Sequence, residues 1–115
     1  TGETILSSTF HDPTANTWYL VIIWHDAANN LIGIDVNGTS NTTTHNNGVV
    51  DSASFFSIGR KETGGGAYWT GLIDEVGFWK RVLTVAERTA LYQGGSGLTY
   101  PFSGEFGGTF LFNLI

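Results

Sequence analysis

The chain has no cysteine and no methionine among its 115 residues. Disulfides, zinc–thiolate centres and a cysteine nucleophile are therefore excluded, although the absence does not fix a compartment. Basic residues are scarce as well: 5 Lys+Arg against 10 Asp+Glu give a net charge of −5 and an isoelectric point of about 4.8. A nucleic-acid binder needs a basic stripe to displace counterions, and the two basic pairs, Arg60-Lys61 and Lys80-Arg81, are too short to make one. No apolar run approaches the roughly 18 residues of a membrane-spanning helix. The chain opens on Thr1, and no signal-peptide succession of basic, apolar and small residues comes after it. The expectation is that its start was removed or that it is a piece of something longer.

Charged residues make up only 13% of the chain, and Gly, Thr, Ser and Asn stand in their place, a composition of short strands joined by many turns. With 41% hydrophobic and 14% aromatic residues there is material for one core, which argues against disorder. The length fits a single domain, 1–115.

Along the chain, Ile5 to Phe10 reads as a first short strand closed by His11-Asp12-Pro13. The run Trp18 to Trp24 is continuous, apolar and rich in β-branched and aromatic residues, the pattern of a strand buried on both faces. His25 to Asn30 forms a turn and Leu31 to Val36 a return strand, with Leu31, Gly33 and Asp35 on one face and Ile32, Ile34 and Val36 on the other. Asn37-Gly38 is a strong hairpin-turn signal. Thr39 to Gly48 is polar, a surface loop or edge strand, and Ser54 to Ile58 is a further strand. Gly64-Gly65-Gly66 marks a turn, and Tyr68 to Trp79 is the longest strand region, with Asp74, Val76 and Phe78 on one face. Thr84-Val85-Ala86-Glu87 fits a capping box and predicts a helix that runs to about Tyr92 and stops at Gly94-Gly95. Thr109 to Leu114 predicts a last strand. Six or seven strands and a two-turn helix amount to an all-β sandwich.

The segment Gly71 to Trp79 (GLIDEVGFW), with Arg81-Val82-Leu83-Thr84 and Glu87 after it, resembles the closing motif of the laminin-G-like, concanavalin-A-like jelly roll shared with pentraxins. Trp18 with its apolar run, the strand ending Asp35-Val36-Asn37-Gly38, and Phe56-Ser57-Ile58-Gly59 match that family in the same order. The resemblance covers residues 18–92, about two-thirds of the chain, with 97–115 left as a carboxy-terminal strand or tail. It implies an antiparallel jelly-roll β-sandwich with one short helix near the carboxy-terminal third. Members usually have several strands before the tryptophan-led one, whereas only a short segment precedes Trp18. Where pentraxins carry the acidic run for calcium, this chain has Arg60-Lys61-Glu62-Thr63. No metal or cofactor is expected, since the calcium ligands are not matched.

Fold relatives that cleave glycans place two glutamates on one strand face, one to attack and one to deliver a proton. Asp74 and Glu75 are adjacent and so point to opposite faces of a strand; the expectation is a buried Asp74 accepting turn amides, an exposed Glu75 and no enzyme. His11, His25 and His45 fall in three separate predicted loops and read as solvated. Asn37-Gly38-Thr39 and Asn41-Thr42-Thr43 are glycosylation sequons that matter only in a source that glycosylates secreted proteins; the favoured reading is ordinary polar loop residues. Trp18, Trp24 and Trp79 are assigned to the core, and Asp74, Thr84 and Glu87 to structural roles. Tyr68 and Trp69 come after the triple glycine, so at least one is expected at a loop edge; with Glu62 and Thr63 they are the ligand candidates, because aromatic faces suit the apolar side of a pyranose.

Together these features imply a non-catalytic, lectin-like recognition or adhesion module on an extracellular, cell or virion surface, binding carbohydrate or a partner protein. The alternative is a structural virion decoration, fibre or filament domain without a sugar site. The apolar run at 18–24 and the tail suggest that neighbouring subunits or further chain cover residues 106–115, as a strand added to a neighbour.

Overall fold

A computed structural model describes residues 8–46, 48, 55–60 and 66–99, and the strand at 109–111. Strands β1 (Val21–Asp26), β2 (Leu31–Val36) and β3 (Thr39–Thr44) form an antiparallel meander in that order. Local chemistry makes each connection. In the β1–β2 turn the Asp26 carboxylate accepts the Asn29 backbone N–H at 3.2 Å and its side-chain amide at 2.8 Å, contacts that hold its pKa below the usual carboxylate value. The β2–β3 turn is Asn37-Gly38, with φ of 49° and 83°, positive values these two residues tolerate. Asn37 also ties down the chain entering β1: its Oδ1 accepts the Leu20 N–H at 2.8 Å, and its own N–H donates to the Leu20 carbonyl at 3.0 Å.

The register pairs Ile22 with Asp35 and Trp24 with Gly33, while Val21, Ile23 and His25 pair with Val36, Ile34 and Ile32. Cross-strand partners share a face, so β1 and β2 present one face of Ile22, Trp24, Gly33 and Asp35 and another of Val21, Ile23, His25, Ile32, Ile34 and Val36. A Cβ at Gly33 would lie 2.1 Å from the Trp24 indole; only glycine lets that ring lie down on β2.

Helix α1 (Val85–Tyr92) starts as its sequence predicts. The Thr84 hydroxyl accepts the Glu87 N–H at 3.2 Å, and the Glu87 carboxylate accepts the Thr84 N–H at 2.8 Å. At the other end Gln93 adopts a left-handed φ of 45° and leads into a 3-10 turn, Gln93–Gly95. The Leu98 N–H then returns to the Leu91 carbonyl at 3.0 Å. Leu83 and Leu91 are the buried hydrophobic residues among those described, and Arg88 reaches from the same helix to Asp35. A two-stranded antiparallel ladder, β4 (Gly77–Trp79) with β5 (Thr109–Leu111), completes the secondary structure.

Antiparallel β-structure with one short helix is as expected; the five strands of the described residues make a meander and a ladder rather than the two full sheets of a jelly roll. Several expectations are corrected. The apolar run at 18–24 is not buried on both faces: Val21 and Ile23 are 55% and 73% exposed, because they project from the meander away from Arg88 and α1. Trp18 is exposed rather than core. Residues 55–58 form no strand, and Phe55 and Phe56 are exposed. The long strand expected from Tyr68 to Trp79 shrinks to Gly77–Trp79, since Glu75 takes a φ of 50° that breaks the alternation. Of the expected tail strand, Thr109–Leu111 pairs with β4 of its own chain, while 112–114 lie outside the described residues, as do 5–7 of the first expected strand. Among the described residues no helix is long and apolar enough to cross a membrane.

Candidate functional site

Residues 69–76 run without regular structure between an isolated bridge at Tyr68 and β4. The bridge pairs Arg60 with Tyr68, and the Trp69 N–H donates to the Gly59 carbonyl at 2.7 Å. Gly59 has a φ of 72°, and a Cβ there would come within 3.2 Å of Ile73 Cδ1, so a glycine lets the two limbs of the loop close together. Past the bridge the chain folds under the Trp69 side chain. The indole Nε1–H donates to the Leu72 carbonyl at 3.3 Å, and a Cβ at Gly71 would be 2.9 Å from that nitrogen. The indole therefore lies across the backbone of Gly71, yet it remains 62% exposed. It is an aromatic surface held in place by its own loop and open to solvent.

Tyr68 is also exposed. As neighbours on an extended segment, Tyr68 and Trp69 point to opposite sides, and the bridge puts Tyr68 on the side of Arg60. Trp69 thus presents its indole apart from Tyr68, with exposed Leu72 three residues further on. Glu62 and Thr63, the other ligand candidates, lie outside the described residues. Asp74 is exposed rather than buried: its Oδ1 accepts the Glu75 N–H at 2.9 Å. Glu75 is exposed too. Trp79 is half-buried on β4 with its ring over Gly77, where a Cβ would meet it at 2.7 Å.

Thr84 and Glu87 form the capping box, and Arg81 joins them. Its guanidinium donates to both Glu87 carboxylate oxygens, at 2.7 and 2.5 Å. This fork and the Thr84 N–H hold the Glu87 pKa down to about 2, and the same contact raises that of Arg81.

A second cluster was not anticipated from the sequence. Asp35, 3% exposed, accepts the Gly38 N–H at 2.8 Å and the Ser40 hydroxyl at 2.5 Å. Arg88, 8% exposed, brings its Nε to 3.6 Å from Asp35, a charge pair longer than a hydrogen bond. The guanidinium also lies 4.4 Å from the centre of the Trp24 ring and donates to the Leu83 carbonyl at 2.5 Å. These contacts all lie within the protein and join helix to sheet, while the buried Arg88 Nε–H has no hydrogen-bond partner among the described residues. The available signal was an arginine three residues before Leu91, on the inward side of a short helix, where a charge requires a buried partner.

The histidines are not three solvated loop residues. His25 lies in β1, half-buried, and its ring is 5.4 Å from that of His45. His11 sits apart, against Phe10 at 4.1 Å between ring centres. Both sequon asparagines accept hydrogen bonds: Asn37 from Leu20, and Asn41 Oδ1 from the Thr9 N–H at 2.9 Å and hydroxyl at 3.1 Å.

Residues 1–87 fit a laminin G family model described as the concanavalin A-like lectin/glucanases superfamily. No curated protein and no solved structure matches the chain.

Proposed function

The chain belongs to the concanavalin A-like lectin/glucanase superfamily, and on that footing we propose that it is a non-catalytic recognition module that binds carbohydrate through Trp69. The observation that carries the proposal is the pinned, exposed indole. A free surface tryptophan would have to be ordered on binding, at a cost in side-chain entropy; this one is already fixed by Leu72 and Gly71. Its open face offers the apolar, polarisable surface that the C–H groups of a pyranose pack against.

The carboxylates of this loop support binding over hydrolysis. Glycoside cleavage needs two carboxyl groups facing each other across the scissile bond. Asp74 instead bonds to the next backbone amide, and Glu75 sits in a left-handed kink beside it. With a glycan as ligand, the proposed setting of the module is outside the cell, on a cell surface or a virion.

A glycan array, with titration of the strongest ligand, tests this. Trp69→Ala removes the platform and only local contacts, and should weaken binding about tenfold or more with the fold intact. Equal affinity in wild type and variant, or no binding to any glycan, would refute it.

A second reading, a structural domain acting in assembly, draws on Val21 and Ile23, two aliphatic side chains of one strand face left open to solvent. Sedimentation separates the two: a monomer that binds glycan favours recognition, and an oligomer without glycan affinity favours assembly.

A further inference from the structure

We infer that the outer edge of β1 pairs with β1 of a second copy of this chain, antiparallel about a two-fold axis at Ile23. The strand order β1-β2-β3 leaves β1 paired on one side only among the described residues. Which of its backbone groups face outward follows from the register. The Asn37 N–H donates to the Leu20 carbonyl at 3.0 Å, and antiparallel ladders alternate bonded and non-bonded pairs. Ile22, Trp24 and Asp26 therefore turn their N–H and C=O groups to Asp35, Gly33 and Leu31. Val21, Ile23 and His25 point theirs away from β2.

Exposed edge strands are ordinarily blunted by lysine, proline or a bulge. β1 has none of these, and its one acidic residue, Asp26, stands at its end. The side chains beside the open edge are apolar and already in solvent, Val21 at 55% and Ile23 at 73% exposure. β3, the other outer strand of the sheet, is built of Thr, Ser and Asn alone and is polar throughout.

The edge is complementary to itself. With Ile23 opposite Ile23 of the partner subunit, Val21 falls opposite His25 of the partner subunit, and the reverse, so every outward-facing residue meets another. Three such pairs exchange about six backbone hydrogen bonds. On one face the two Ile23 side chains meet, and on the other Ile22 lies opposite Trp24 of the partner subunit. Charge permits the approach despite a net −5 on each chain. Each Asp26 falls opposite Leu20 of the partner subunit, which sets the two Asp26 residues about 20 Å apart along the strands. That is more than twice the Debye length of about 8 Å at physiological ionic strength. The product is one continuous sheet, β3-β2-β1-β1-β2-β3, and it stands whether or not Trp69 binds a glycan.

The test is sedimentation velocity of the full chain from micromolar to millimolar concentration, with amide hydrogen exchange as a readout that needs no variant. The wild type should sediment as a species of twice 12.4 kDa that dissociates on dilution. Over the same dilution the Val21, Ile23 and His25 amides should exchange about tenfold faster or more, while those of Ile22 and Trp24 stay protected by β2. Ile23→Lys and Ile23→Glu each place like charges on the two-fold axis through a side chain already in solvent. Each alone should be monomeric, and an equimolar mixture of the two should restore the dimer. Should either variant fail to fold, exchange in the wild type decides alone. A wild type that is monomeric throughout, the outcome if the edge serves a different partner, would overturn the inference. So would self-association that survives Ile23→Lys, a mixture of folded variants that stays monomeric, or exchange at Val21, Ile23 and His25 that ignores concentration.

Discussion

Replacing Arg88 by alanine removes three contacts at once: the charge pair with Asp35, the stack on Trp24 and the donation to the Leu83 carbonyl. The magnitude depends on the groups that remain. Asp35 stays buried with its charge and keeps two donors, the Gly38 N–H and the Ser40 hydroxyl. Removing one partner of a buried pair costs about 3–5 kcal/mol; the two retained donors set the expectation at the lower end, about 3 kcal/mol. Against the ~5–15 kcal/mol by which small domains are stable, that is a large share. Urea unfolding monitored by far-ultraviolet circular dichroism should show a midpoint lowered by about 1–3 M. The pairing itself is isolated by a cycle with Asp35→Asn, which keeps an oxygen for Gly38. The double variant should lose about 1–2 kcal/mol less than the sum of the singles. An Arg88→Ala protein within about 1 kcal/mol of wild type, or singles that simply add, would refute the assignment of this cluster as the joint between helix and sheet.

Other perturbations are local. Thr84→Ala should cost about 1 kcal/mol through loss of the amino-terminal cap, read as a shift in the same urea midpoint. Since the folded-state pKa of Glu87 is depressed to about 2 from an ordinary value of 4.5, its stabilising contribution is complete above pH 4.5 and is lost as the pH falls toward 2. Stability measured over that window should decline less steeply in Glu87→Gln and in Arg81→Ala than in wild type; parallel curves would remove the Arg81–Glu87 fork from the account. Gly33→Ala forces a Cβ into the Trp24 ring, so it should destabilise by about 1–3 kcal/mol and shift the tryptophan emission. An alanine variant as stable as wild type would mean that Trp24 does not lie on β2.

The parts of the fold readable from the sequence are those set by chemistry within a few residues. Asn37-Gly38 makes its turn because both residues accept positive φ, and Thr84 with Glu87 caps its helix because the two groups are three residues apart. The misreadings share a different cause. An apolar run such as that at 18–24 looks the same whether one face or two are covered, and coverage depends on segments far away in sequence. Glu75 offers no local cue that it will take a left-handed φ and end the alternation before β4. Asp35 and Arg88 are 53 positions apart in the numbering, and nothing in either neighbourhood announces the other. Of the ligand candidates, Trp69 was legible as an aromatic after a glycine run, but its immobilisation depends on Gly71 and Leu72 folding beneath it. The approach of His25 to His45 arises from strand register, which the residue spacing alone does not reveal.

The central claim is that the Trp69 indole is the surface on which a glycan docks, and the four tryptophans make it directly measurable. Each contributes one indole N–H signal to a nitrogen–proton correlation spectrum, and four Trp→Phe variants assign them. Titration with the best oligosaccharide from an array should move the Trp69 signal in proportion to occupancy. Trp24, beneath Arg88, and Trp79, over Gly77, should stay in place. Movement centred on Trp18, or saturable binding that leaves Trp69 untouched, would contradict the account.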